Sequence, residues 1–327
     1  MKPVLAVENL KVTFSSHGKK IHAVSDISFT LHEGETLGVV GESGCGKSVT
    51  AKAITKLLPS FTSSFSGQVV FKEHDLLSLS EHQLQSIRGK EIGMVFQDPM
   101  TSLNPTLKVG TQIIEGYRKH HPQSFSLFAR SAMIQYAIEM LKKVGIPNPE
   151  ARVNEYAHTL SGGMRQRVMI AIALACKPRI LIADEPTTAL DVTIQAQILS
   201  LIKSIQQQEQ TSILMITHDL SVIAGMCDRV IVMYAGKVVE SANVDDLFYN
   251  PKHPYTQKLL QALPKIHGSK DIPLHSIDGN PPHMNQIIEG CAFAPRCPYA
   301  MRICREKAPE KSYFSPNHYS FCWLHKK

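Results

Sequence analysis

The chain has 327 residues, 43% of them hydrophobic and 19% charged, with 19 Gly and 19 Pro. That balance excludes collagen, a coiled coil and general disorder, and the length fits one large domain plus an appendage. Lys and Arg number 35 against 28 Asp and Glu, a formal charge of +7. This charge suits an anionic partner (nucleotide, nucleic acid or membrane surface) without choosing among them, because the basic residues are dispersed rather than gathered into a tail. The longest apolar run, Val168 to Cys176, has nine residues, far short of the roughly 20 needed to cross a bilayer. The start, MKPVLAVENL, lacks the apolar stretch and small-residue site of a secretory signal, which places the expected location in the cytoplasm.

In chain order, Leu5 to Phe14, His22 to Leu31 and Thr36 to Val40 read as strands, an antiparallel edge sheet leading into a buried strand. A Ser-rich loop from Pro59 to Gly67 follows, then strands at Gln68 to Phe71 and Ile92 to Phe96. From about residue 107 to 158 the pattern predicts helix, with Met133, Ala137, Met140, Leu141 and Val144 as a core-facing stripe. Next come a helix over Gly162 to Cys176, a strand at Ile180 to Ala183 and a helix over Thr193 to Gln208. Strands at Ser212 to Thr217 and Val230 to Tyr234 complete the series. Alternating strands and helices imply an α/β fold with a mostly parallel sheet covered on both faces. From Pro251 onward, prolines recur through Pro264, Pro273, Pro281 and Pro282 and periodicity fades, which reads as a linker with short elements.

Two motifs carry chemistry. Gly41-Glu42-Ser43-Gly44-Cys45-Gly46-Lys47-Ser48 is a complete G-x-x-x-x-G-K-[ST] phosphate loop, preceded by an apolar strand and followed by a helix. Its glycines let backbone N–H groups turn inward as an anion nest, and the helix adds its positive end to the same spot. Lys47 is expected to reach the β- and γ-phosphates and Ser48 to ligate Mg²⁺. Cys45 is a small loop residue, since nothing around it in the sequence supplies the base that a nucleophile needs. The second motif, Ile180-Leu181-Ile182-Ala183-Asp184-Glu185, delivers two carboxylates at a strand end. Asp184 suits the metal, and Glu185 suits a water poised for in-line attack.

Leu160-Ser161-Gly162-Gly163-Met164-Arg165-Gln166-Arg167 resembles the signature of the ATP-binding cassette ATPases, and the two motifs above stand in the order that family requires. The resemblance covers roughly residues 3 to 250. It implies a P-loop NTPase fold with an N-terminal antiparallel β-subdomain, an inserted α-helical subdomain at about 99–165, and ATP as the nucleotide. Gln97 resembles the Q-loop glutamine, a γ-phosphate sensor and Mg²⁺ ligand. Thr188-Ala189-Leu190-Asp191 resembles the D-loop, His218 the switch histidine, and Phe14 the aromatic ring stacked on adenine. By the same likeness Ser161, Gly162 and Gly163 of one subunit close over the ATP held by Lys47 of another. Ser161 is equally read as a plain helix N-cap. Met164 departs from the family's usual glutamine.

Gln97-Asp98-Pro99-Met100-Thr101-Ser102-Leu103-Asn104-Pro105 and His253-Pro254-Tyr255-Thr256 resemble the oligopeptide/dipeptide importer ATPases, nickel importers being in the same group. Cys291-Ala292-Phe293-Ala294-Pro295-Arg296-Cys297-Pro298, with Cys304 and Cys322, is similar to the C-terminal extension of those subunits, here residues 251–327. The likeness implies two permeases, an extracytoplasmic solute-binding protein, and a second ATPase that is paralogous in preference to identical. It places the chain peripherally on the cytoplasmic face of the membrane, without nucleic acid. A soluble nucleic-acid ATPase of the same superfamily is the alternative; it usually carries a coiled-coil insertion, zinc modules or a second cassette. The four tail cysteines are spaced by five, six and seventeen residues, without the paired C-x₂₋₄-C of most zinc sites. Relatives with this pattern hold a [4Fe-4S] cluster. Zinc and free thiols are the alternatives, and a structural staple is preferred to electron transfer.

Overall fold

A computed structural model describes residues 2–16, 18–122, 129–263, 277–286 and 288–326. In chain order the elements begin with β1 (Pro3–Ser16), β2 (Lys19–His32), β3 (Thr36–Val40), α1 (Lys47–Ile54), β4 (Ser63–Phe71), β5 (His74–Asp75), α2 (Glu81–Ile87) and β6 (Ile92–Val95). The helical stretch holds α3 (Pro99–Ser102), α4 (Val109–His120), α5 (Ala129–Lys143), α6 (Pro149–Arg152) and α7 (Gly162–Leu174). They are followed by β7 (Ile180–Asp184), α8 (Val192–Glu209), β8 (Ser212–Ile216), α9 (Leu220–Met226), β9 (Arg229–Tyr234), β10 (Lys237–Asn243), α10 (Val244–Tyr249) and α11 (Pro254–Gln261). The C-terminal segment adds α12 (Arg302–Glu306), β11 (Lys311–Ser315) and β12 (His318–Phe321). Pro264 and Pro273 lie outside the described residues.

One compact unit consists chiefly of Ser78–Ile216 with His32–Glu35. Its strands β6, β7 and β8 are parallel, with Ile92 opposite Ile180 and Ile180 opposite Ser212. Every residue of β7 and β8 is buried, as expected for continuous apolar runs in a parallel sheet covered on both faces. The single helical stretch expected over 107–158 is broken into pieces. Gly145 (φ +71) and Asn148 (φ +50) turn the chain after α5, and Pro149 then opens α6. Of the expected stripe, Ala137, Met140 and Leu141 of α5 and Val144 just beyond it are core, at 4% exposure or less, whereas Met133 is only partly buried.

The other unit consists of Pro3–Leu31, Thr36–Leu77 and Thr217–Lys327. It holds a four-stranded sheet in the order β2-β1-β4-β5, which is the expected antiparallel edge sheet. Here the Ser-rich stretch is not all loop. Ser63 to Ser66 pair with Phe14 to Lys11, and the register slips between Glu8 and Lys11. At that slip Asn9 (φ +50) faces Gly67 (φ +94), where a Cβ would stand 2.4 Å from the Asn9 carbonyl oxygen. Local sequence pattern fails at such a bulge because partner-strand pairing, not side-chain alternation, holds β4 in place.

In the same unit β3 pairs parallel with β9, and β9 pairs antiparallel with β10 through a tight turn in which Ala235 (φ +46) and Gly236 (φ +78) are both left-handed. The tail is more than a linker, because β12 pairs with β10 and β11 with β12. The buried carboxylate of Glu240 ties this together. It accepts the backbone N–H of Lys252 at 2.7 Å and of His253 at 2.8 Å, and it stands 2.9 Å from Nε2 of His318. A charge sequestered in this way is held by its hydrogen bonds. The core of the unit gathers Val232 and Tyr234 of β9, Leu247, Tyr255 and Phe293.

Candidate functional site

The phosphate loop leaves the C-terminal end of β3 and enters α1 with Gly46 as N-cap. Gly46 has φ +102, and a Cβ there would fall 2.4 Å from the carbonyl oxygen of Ala23, so both conformation and space require glycine. Gly41, Cys45, Gly46 and Lys47 are buried, Glu42 and Ser48 partly so, and Ser43 and Gly44 exposed. Lys47 is 4% exposed. Its ammonium donates to the carbonyls of Gly41 at 2.7 Å and Glu42 at 2.9 Å and lies 3.9 Å from Sγ of Cys45. The loop therefore closes on its own lysine and places one fixed positive charge at a helix N-terminus. Burial pushes the Cys45 thiol up despite neighbouring Lys47, which fits a packing residue better than a nucleophile.

Two residues beyond the motif also hold the loop. The N–H of Glu42 donates to the Tyr255 phenol oxygen at 2.9 Å. Its carboxylate takes a two-pronged ion pair from Arg296, at 2.8 and 3.0 Å. Burial pushes the Tyr255 phenol well above the usual range, so its hydroxyl stays protonated. Both residues stand in stretches that resemble the oligopeptide/dipeptide importer ATPases, and nothing in those stretches points to the loop. They lie 213 and 254 positions from Glu42, and no local periodicity signals such a contact. In the same unit Phe14 sits half-buried on β1 opposite Ser63. His218, exposed, precedes α9, whose N-cap Asp219 accepts from the N–H of Ser221 at 2.8 Å.

In the other unit β7 delivers the carboxylates. Asp184 is 2% exposed at the strand end. Glu185 follows in a left-handed conformation, φ +49, which an ordinary side chain adopts only where its surroundings hold it. They do so at three points. Its N–H donates to Ile216 O at 2.9 Å, and its carboxylate accepts from Gln97 Nε2 at 3.0 Å and from Thr188 Oγ1 at 2.9 Å. Gln97, 88 positions away, thus joins Glu185 and its near neighbour Thr188 in one hydrogen-bonded group.

Ser161 caps α7, its Oγ accepting from the Met164 N–H at 3.3 Å, and Asp191 caps α8, accepting from the Ile194 N–H at 3.0 Å. A Cβ on Gly163 would stand 2.7 Å from Ile194, and one on Gly162 3.9 Å from Leu190. The signature loop and the D-loop are therefore neighbours, and Gly163 permits their close approach.

Cys291, Cys297, Cys304 and Cys322 line one small cavity together with His253 and Phe293. None is in a disulfide, and burial pushes the Cys322 thiol up to about 11. His253 is 1% exposed. Its Nδ1 accepts from the Tyr255 N–H at 3.0 Å, while its Nε2 has no hydrogen-bond partner. Among the described residues no group of three or more His, Cys, Asp or Glu side chains stands ready to hold a metal ion. The ligand set expected at these cysteines, for a [4Fe-4S] cluster or for zinc, is accordingly not assembled in this structure.

A glycine loop closed on a buried lysine, with a carboxylate pair at the end of a parallel strand, defines a phosphate-loop nucleotide hydrolase. Residues 24–188 match the ABC transporter family, and residues 239–304 match the oligopeptide/dipeptide transporter C-terminal region. The chain is 52% identical over 322 residues to the oligopeptide transport ATP-binding protein OppD of Bacillus subtilis, covering 98% of this chain and 88% of that protein. It is 49% identical over 327 residues to the dipeptide transport ATP-binding protein DppD of the same organism, covering 99% and 95%. Among solved structures it is similar to the ATP-binding cassette MJ0796 in a dimeric post-hydrolysis state bound to ADP and Pi. That likeness has a TM-score of 0.66 and 28% identity over 73% of this chain and 98% of that one. The chain belongs to the ABC transporter ATPases and carries the C-terminal region of their oligopeptide/dipeptide branch.

Proposed function

We propose that this chain is the ATP-hydrolysing subunit of an ABC importer of dipeptides or oligopeptides, working peripherally at the cytoplasmic face of the membrane. The observation that carries the reading is that the likeness to peptide-transport ATPases runs through 98% of the chain, tail included. These relatives lend no support to the nickel or nucleic-acid alternatives. Residues 3–250 form the cassette in this reading, with its helical subdomain at about 99–165, and residues 251–327 form the extension. Two permeases, an extracytoplasmic solute-binding protein and a second ATPase, paralogous rather than identical, complete the assembly.

Within it Lys47 and the loop N–H groups bind the phosphates and Phe14 stacks on adenine. The hard oxygen donors of Ser48, Asp184 and Gln97 fit Mg²⁺, which when bound draws charge from the phosphate oxygens. Glu185 orients the attacking water and takes its proton, and His218 reads the γ-phosphate. Ser161, Gly162, Gly163 and Asp191 face the nucleotide of the partner ATPase. In liposomes containing the permeases, peptide-loaded solute-binding protein should raise ATP hydrolysis several-fold. Hydrolysis indifferent to peptide and permease but accelerated by RNA or DNA would overturn the reading.

The finer reading of the tail is that the four cysteines hold a [4Fe-4S] cluster. It is supported by four thiols on one cavity and by the unpartnered His253 N–H beside them. The cluster's role there is to staple a segment otherwise held by short elements. Anaerobically purified protein should contain about four irons and four sulfides per chain. Cys297→Ser should lower both and loosen the segment after Pro282 to proteolysis. Metal-free anaerobic protein with an intact tail would remove the cluster.

A further inference from the structure

The tail reaches into the phosphate loop, and Arg296 is the residue that does so. Glu42 is the first variable position of the loop, so its carboxylate is a negative charge beside the place where a polyphosphate must settle. Unpaired, it would repel the ligand; paired with a guanidinium, its field is largely cancelled.

Arg296 is held in place for this pairing. Its side chain is 5% exposed and that of Glu42 is 24% exposed. Besides the two bonds to Glu42, Nε donates to the Asp278 carbonyl at 2.9 Å, Nη2 to the Ile277 carbonyl at 3.0 Å and Nη1 to the Tyr234 hydroxyl at 3.2 Å. All five N–H donors of the guanidinium are thus directed. The fork stands on an aromatic base in which the rings of Tyr234 and Tyr255 lie 4.6 Å apart and each lies 5.3 Å from Phe293. Tyr255 takes the Glu42 N–H, so backbone and side chain of one loop residue are both anchored by the C-terminal region.

We infer that Arg296 is a positioning residue for nucleotide binding, holding and neutralising Glu42 so that the phosphate loop presents a net positive face to MgATP. The inference rests on the ATPase reading above and gives the tail a direct part in that site. The arrangement also makes the extension a determinant of nucleotide affinity, separate from any metal that it holds.

The test measures MgATP affinity of the purified full-length chain by calorimetry, together with kcat and KM of the assembled transporter. Arg296→Gln should raise the Kd and KM for MgATP about tenfold while kcat at saturation changes much less, because the lost charge acts on binding. Removing the stranded carboxylate as well, in Glu42→Gln/Arg296→Gln, should recover most of that affinity, and Arg296→Lys should recover part of it. A melting temperature that falls while Kd stays at the wild-type value would leave Arg296 a structural residue and overturn the inference. So would a double variant as weak as the single one. Wild-type protein that binds no MgATP, with Lys47→Ala indistinguishable from it, would instead overturn the ATPase reading itself.

Discussion

Glu185→Gln should bind MgATP as the wild type does and lose hydrolysis by roughly 10²- to 10⁴-fold, the usual cost of removing general-base assistance. The amide keeps the size of the carboxylate and one acceptor oxygen, so the contacts with Gln97 Nε2 and Thr188 Oγ1 can be retained on that oxygen. What disappears is the charge that takes the proton from the attacking water. Since nucleotide then binds without being consumed, the variant should accumulate with its partner ATPase as a closed ATP-bound dimer, visible as a shift to dimer mass on adding MgATP. Single-turnover measurements provide the check: a chemical step within a few-fold of wild type would remove Glu185 from the base role.

Lys47→Ala should act one step earlier. The ammonium is buried and spends its donors on the carbonyls of Gly41 and Glu42. Those carbonyls are the loop's own acceptors, and phosphate oxygens are stronger acceptors for the same group. Loss of a charge-assisted hydrogen bond of about 1.5–3 kcal/mol predicts MgATP binding weakened by roughly ten- to a hundredfold, with KM raised along with it. The variant also strips the loop of the contact that closes it, so Lys47→Arg is the companion: it retains charge but not the compact point-donor geometry. Titration with MgATP checks both. Affinity unchanged in Lys47→Ala would remove the lysine from phosphate binding.

The identity of the chemistry was legible in the chain itself. The phosphate loop and the strand ending in Asp184-Glu185 are local motifs, because backbone conformation over six or eight residues is what their chemistry requires. The apolar stripe of α5 and the buried strands β7 and β8 were legible for the same reason, as periodicity is a local property. The exact path of the helical stretch was not. Gly145 and the Asn148-Pro149 step interrupt it, yet each residue alone is compatible with a helix boundary elsewhere. The strand character of Ser63 to Ser66 was hidden because pairing with β1, and not their own side chains, decides it.

What only the tertiary structure decided lies in contacts of long sequence separation. Gln97, 88 positions away at the end of β6, donates to the Glu185 carboxylate that Thr188 engages locally from the turn after β7, which explains how a glutamate rests at φ +49. The region after Pro251 reads as a proline-interrupted linker. In the folded chain it supplies β11 and β12 to the sheet beside β10, the Tyr255 hydroxyl to the Glu42 N–H and the Arg296 fork to the Glu42 carboxylate. Sequence patterning registers which residues are apolar and how often they recur. It does not register an ion pair that forms only because a hairpin and an aromatic cluster bring Arg296 to the loop, and that placement is a property of the packed core.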